Sequence, residues 1–278
     1  MSAPSGFRGV TIVFATRHGK EEAAREAFAD QLGARVIAPA RIDTDRFGTF
    51  TGDIPRTLSP RQAALAKAQL GMVLTGTRYG LASEATYTST FGVLTLHHEL
   101  LLFHDRESGL TVTENARVTT AGYGTATASS PEEALSAATR FGFPATAAVL
   151  STDADPPVHR KGIRTASELE SIARLLLRRS PRLRVEADYR AHNNPPRRDV
   201  IRDLSYRMTN RLGRHCPDCG TPGYGAVDVQ RGLPCSVCGQ PTAAISADIH
   251  GCALCPRREA VPRPAHSIDP QWCDSCNP

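Results

Sequence analysis

All eight cysteines of this 278-residue chain fall between positions 216 and 276, as four C-x2-C pairs: Cys216/Cys219, Cys235/Cys238, Cys252/Cys255 and Cys273/Cys276. Two thiolates on one tight turn supply half of a tetrahedral metal site, and two such knuckles close a structural zinc centre. Proline, glycine or a small residue follows or interrupts each pair (CPDCG, PCSVCG, CALCP, CDSCNP), as such turns require. The spacing C-x2-C-x15-C-x2-C, then C-x2-C-x17-C-x2-C, reads as two successive zinc ribbons holding two Zn2+. Spacing alone leaves open whether the knuckles close in sequence or interleave. Four disulfides would need an oxidising compartment, and MSAPSGFRGVTIVFATRHGK lacks the basic-then-apolar run of a secretory leader. Zinc in a soluble, cytoplasmic protein is the expectation, with no membrane partner.

The knuckle region, residues 215–278, carries four arginines, no lysine and six acids, to which ionised thiols add negative charge. It is therefore a poor phosphate-backbone clamp, although the whole chain has a net charge of +5. The basic excess lies upstream, in residues 160–214, where a solvated basic face competes with a nucleic-acid interface.

Residues 6–214 are long enough for a core of their own. Residues 9–15 (GVTIVFA) form a β-branched apolar run. A helix (EEAAREAFADQLG) ending at Gly33 and a second strand (ARVIAP) complete a βαβ opening. Ser59-Pro60 with Gln62 is a capping box opening a helix that is apolar nearly all round and so expected to be buried, with Lys67 its lone central charge. RYGLASE reads as a strand, and ELLLFHDRESGLTVTENARVT as a hairpin turning near Glu107. Further capping boxes at Ser130 and Thr165 open two helices, and FPATAAVLS and LRVEADY read as strands. Asn194 caps a last helix with Ile201, Leu204, Met208 and Leu212 in its inner row. Alternating strands and helices predict an α/β fold, three-layer-like, with a mixed or mostly parallel sheet, followed by tandem four-cysteine zinc ribbons from residue 215.

Three polar clusters follow strands: Thr16-Arg17-His18-Gly19-Lys20, Ser83-Glu84, and residues 188–194. In open α/β sheets ligands bind beyond the carboxyl ends of the strands, so these are candidates for one site, although solvation alone makes such loops polar. The chain has only three lysines, Lys20, Lys67 and Lys161, against thirty arginines. A compact ammonium suits point contact with a phosphate. Thr16, His18, Lys20, Lys67, Arg190 and Arg197 are the candidate substrate-binding residues. Asp188 is the candidate acid and His192 the candidate general acid or base. Asp45 and Glu84, with Asp43 and Asp53 nearby, are candidate oxygen ligands for Mg2+. His97-His98-Glu99 is set aside, because neighbours on a strand face opposite ways.

The segments ATRHGKE, DTDRFGTFTG, LASE, KGI, DYRAHNNPPR, CPDCGTPGYG and DPQWCDSCNP together resemble an uncharacterised bacterial family of unknown function, along nearly the whole chain. That resemblance implies a shared fold and the knuckles, but no activity. The opening third also resembles the inosine-triphosphate pyrophosphatases. There a T-x-N-x-x-K loop and an N-A-x-x-K-A helix contact phosphates, and an acidic segment binds Mg2+. The resemblance places Thr16 and Lys20 in the first, Lys67 in the second and Glu84 in the third. His18 stands where the loop Asn is expected and Ala63 where the helix Asn is. The expectation is a Mg2+-dependent phosphohydrolase acting on a nucleotide or related phosphate ester. The alternative is a non-catalytic module that binds nucleic acid or protein through residues 160–214.

Overall fold

The computed structural model describes residues 6–48, 55, 57–90, 94–120, 124–154 and 157–278. The βαβ opening forms as expected: β1 (Thr11–Phe14), α1 (Glu21–Leu32) and β2 (Arg35–Ile37), with β2 parallel to β1. A 3-10 turn at Asp45–Phe47 follows, and then α2 (Pro60–Thr75). The Ser59 hydroxyl accepts from the Gln62 amide, while the Gln62 side chain accepts from the Ser59 amide, satisfying two otherwise orphaned donors. The chain returns as β3 (Tyr79–Thr90), parallel to β1, and continues antiparallel through β4 (Leu94–Asp105) and β5 (Thr111–Thr120). The sheet order is β2-β1-β3-β4-β5, parallel on one side and antiparallel on the other.

Residues 125–187 build a sheet of their own. Its elements are β6 (Thr125–Ala128), α3 (Pro131–Arg140), β7 (Ala148–Thr152), β8 (His159–Ile163), α4 (Ala166–Leu177) and β9 (Leu183–Ala187). The strand order is β6-β9-β7-β8, antiparallel throughout. The short β7–β8 connection permits only antiparallel pairing. Ala134, Ala138, Leu150, Leu169, Leu176 and Val185 give this unit a separate core beneath α3 and α4. Lys161 lies on β8.

The last core helix is α5 (Pro195–Leu212), capped by the Asn194 side chain, which accepts from the Arg197 amide at 3.0 Å. Its inner row, Ile201, Leu204, Met208 and Leu212, is fully buried against α1 and the first sheet. α2 covers the opposite face through Ala64 and Ala68 against Ala82, Leu100 and Leu102, giving three layers. A helix laid on a sheet buries one stripe. α2 accordingly leaves Val73 76 % and Leu74 51 % exposed, contrary to the expectation of all-round burial.

Beyond α5, β10 (Gly225–Arg231), β11 (Ile245–Gly251) and β12 (Arg258–Pro262) form a three-stranded antiparallel sheet that carries the knuckles. No helix among the described residues is long and apolar enough to cross a membrane.

Candidate anion-binding cleft and metal centres

β1 pairs with β3 only as far as Phe14 opposite Leu81, so β3 runs on past the end of β1. From that end α1 packs on one face of the sheet and α2 on the other. Beyond that end lies a cavity lined by Ala15, Thr16, Lys20 and Glu84, outside the carboxyl end of β1 where ligands of such sheets bind. The second sheet supplies the far wall through Val149, Lys161, Glu186 and Ala187, with residues 188–192 beyond β9. The result is a cleft of about 370 Å³.

Of the residues singled out in the sequence, Thr16, His18, Lys20, Lys67, Glu84, Asp188, Arg190, His192 and Arg197 all line this cleft. All three lysines of the chain converge there, with Arg17, Arg190 and Arg197, against the acids Glu84, Glu186 and Asp188. Thr44 and Gly48 place the 3-10 turn at its rim, while the Asp45 side chain and Asp53 lie outside the described residues. Lys161, Arg17, Tyr189 and Glu186 were not assigned from the sequence. The scarcity of lysine was the one signal that pointed to Lys161. Gly162 follows it at φ 79°, where a Cβ would lie 3.3 Å from both the Arg190 and Asn193 side-chain nitrogens, so glycine permits this close approach.

The cations are held in different ways. Lys67, on the buried stripe of α2, pairs with Glu84. Arg197 is 2 % exposed, and its fork meets the fully buried Glu99 through two bonds, Nε to Oε2 at 2.9 Å and Nη2 to Oε1 at 3.0 Å. A third bond runs from Nη1 to the Tyr189 carbonyl at 2.6 Å. Burial pushes the Glu99 carboxyl up, but Arg197 and the His97 hydrogen bond at 2.9 Å outweigh it and hold Glu99 well below the usual carboxylate range. Strand alternation put His97 and His98 on opposite faces as expected; the same alternation puts His97 and Glu99 together, a pair the sequence reading passed over.

Asp188 is likewise enclosed. Its carboxylate accepts from the Arg190 amide, from Arg190 Nε and Nη2 (3.0 and 2.6 Å) and from Asn193 Nδ2 at 2.7 Å. Burial raises its pKa, and these bonds more than reverse that, leaving it lowered. So saturated a carboxylate orients Arg190 and closes the loop; it is poorly placed to exchange protons with a ligand.

The histidine rings of His18 and His192 lie 5.0 Å apart. Burial, then the neighbouring Lys20, His192, Arg190 and Arg197, pushes His18 down to about 3. Burial and Arg190 also lower His192, against the pull of Asp188. Lys20 precedes α1, and its Nζ donates to the Ser83 carbonyl at 2.8 Å. Burial and Arg197 lower Lys20 to about 7, against Glu99 and Glu84. Both histidines are therefore neutral at pH 7, in a site whose field favours an anion.

Much of the basic excess in residues 160–214 is committed within the chain. Arg164 donates to the His192 carbonyl and to Asn193, Arg174 pairs with Glu170, Arg184 with Glu186, and Arg207 and Arg211 both with Glu114.

The knuckles interleave. Cys216 and Cys219 meet Cys252 and Cys255 at one site, and Cys235 and Cys238 meet Cys273 and Cys276 at the other. Cross-knuckle sulfur separations are 3.6 to 3.9 Å. A metal–sulfur bond of about 2.3 Å implies a tetrahedral edge of roughly 3.8 Å, so the cysteines are not disulfide-bonded and each set has the spacing of a tetrahedral metal-ligand group. The tandem four-cysteine sites are present as expected, and of the two closures that spacing leaves open they take the interleaved one, as a cross-braced pair. The first centre lies where the start of β10 pairs with the end of β11, Gly225 opposite Gly251; the second joins the β10–β11 connection to the segment after β12, which β12 returns toward the start of β11. Either four-cysteine group can hold one metal ion. They are also the only groupings of three or more candidate metal ligands among the described residues. Of the two acids expected to hold Mg2+, Glu84 is occupied by Lys67.

Fold and sites together define an α/β protein with a cationic cleft between two sheets and a cross-braced pair of tetrathiolate centres. The chain belongs to a family described as a domain of unknown function, DUF6671, whose model matches residues 67–278. No curated protein matches it, so the likeness to inosine-triphosphate pyrophosphatases remains one of short motifs. Among solved structures it matches the PelC dodecamer of Paraburkholderia phytofirmans in two crystal forms. One is 17 % identical, covering 44 % of this chain and 79 % of PelC, with a TM-score of 0.22. The other is 18 % identical, covering 44 % and 78 %, with a TM-score of 0.19. At those scores the likeness carries no argument about fold or function.

Proposed function

We propose that the cleft binds a small molecule bearing a phosphate group, and that the protein hydrolyses a nucleotide or related phosphate ester there. The observation that supports this reading is the convergence of every lysine in the chain, with three arginines, on one partly buried cavity. Lys67, Lys161, Arg17 and Arg190 surround the phosphate, while Asp188 keeps the Arg190 fork aimed. Neutral His18 or His192 accepts the proton of the attacking water, because an incoming phosphate dianion raises the pKa of both rings. The reading needs no magnesium site. Each tetrathiolate centre holds one Zn2+ in a structural role, since four thiolates leave no open position for substrate. The competing nucleic-acid module is disfavoured by the internal pairing of its arginines.

The test is thermal denaturation of the metal-loaded protein with inorganic phosphate and with nucleoside mono-, di- and triphosphates, with and without Mg2+. A ligand at a hundredfold excess over its Kd stabilises by about 2.7 kcal/mol. Stabilisation that is lost in Lys161→Ala supports the reading. No stabilisation by any phosphate compound sinks it.

A further inference from the structure

Lys20 differs from the other buried or half-buried cations of the cleft. Lys67, Arg190 and Arg197 each face a carboxylate: Glu84, Asp188 and Glu99 respectively. The hydrogen bond from Lys20 Nζ goes to an uncharged acceptor, the Ser83 carbonyl, and no carboxylate lies in ion-pair contact with it among the described residues. The side chain is 9 % exposed, lines the cavity, and stands at the amino end of α1, whose dipole opposes a positive charge there. A lysine that is desolvated beside other cations is the arrangement that releases a nucleophilic amine.

We infer that Lys20 is a covalent site, forming an imine with a small aldehyde or ketone that carries a phosphate group. The Nζ lone pair adds to the carbonyl carbon and a proton passes from nitrogen to the former carbonyl oxygen. The carbinolamine then loses water to leave the C=N bond; no oxidant or reductant is consumed. The inference rests on the phosphate reading for the binding of the second group, which the neighbouring cations hold. The lowering of Lys20 to about 7 supports it, since half of the amine is then free near neutrality.

The chain suits a direct test because it has only three lysines. The full metal-loaded protein is mixed with pyridoxal 5′-phosphate, an aldehyde that carries a phosphate, and reduced with borohydride. The labelled peptides are then mapped by mass spectrometry. The expected result is label at Lys20 far above that at Lys67, where Glu84 occupies the ammonium, with a labelling rate half-maximal near pH 7 and suppressed by inorganic phosphate. Lys20→Arg, which has no primary amine, should lose that label. Label distributed with Lys161, which is exposed on β8, as the main site overturns the inference. So does a Lys20 labelling rate that rises only near pH 10. If either occurs while phosphate still stabilises the protein, the covalent site falls and the phosphate reading stands. Label at Lys20 that phosphate fails to suppress keeps the nucleophile and removes the phosphate reading.

Discussion

Replacing Glu99 by Gln tests the electrostatic floor of the cleft. Glu99 is fully buried and Arg197 is 2 % exposed, so neither can recover solvation when its partner is lost. The substitution removes a charge while nearly preserving shape, leaving a buried guanidinium with the Tyr189 carbonyl as its strongest acceptor. Breaking such a pair from one side costs about 3–5 kcal/mol, because the penalty is that of an uncompensated buried charge. Replacing both members, Glu99→Leu with Arg197→Met, should recover most of that loss, since apolar groups of similar volume often substitute for a buried ion pair at little cost. Urea denaturation followed by far-ultraviolet circular dichroism measures both, and an unchanged m-value shows that the same surface unfolds. A double-mutant cycle then isolates the coupling. A cost below about 1 kcal/mol for Glu99→Gln, or a double variant as unstable as the single one, would refute the account of a desolvated pair.

Three further outcomes follow from particular contacts. Cys216→Ser should leave one of two bound zinc ions by elemental analysis and free the thiols of Cys252 and Cys255 for alkylation; exposure of Cys235 and Cys238 instead would mean sequential closure. Gly223→Ala should destabilise by about 2 kcal/mol and expose residues 213–224 to protease, because Gly223 sits at φ 90° and its Cβ would lie 2.5 Å from Val112 Cγ2; Val112→Ala should rescue only part, since the backbone strain persists. His18 has a folded pKa of about 3 against an ordinary 6.5, so between those values the unfolded chain binds the extra proton and stability falls as pH drops. The difference in stability between the wild type and His18→Gln should therefore shift against the wild type from pH 6.5 downward; a pH-independent difference would contradict the burial of a neutral ring.

Much of this protein is set by residues that meet close neighbours along the chain. The caps at Ser59, Thr165 and Asn194 each satisfy a helix amide three residues on, and a local pattern is enough to recognise them. A C-x2-C knuckle is likewise local, so the metal-ligand identity of all eight cysteines was legible. So were the strand-end clusters that line the cleft. Tertiary structure alone decided which knuckles are grouped, because that depends on β11 folding back beside β10 and β12 beside β11, and the interleaved and sequential arrangements use the same spacings. It also decided that residues 125–187 close as a second sheet, and that Lys161 on that sheet faces the same cavity as Lys20. Glu99 and Arg197 lie 98 residues apart, and neither position announces the other. Their pairing follows from strand register and from the placement of the first turn of α5. Those depend on which apolar faces pack together, a property of the whole chain that no short stretch of residues encodes.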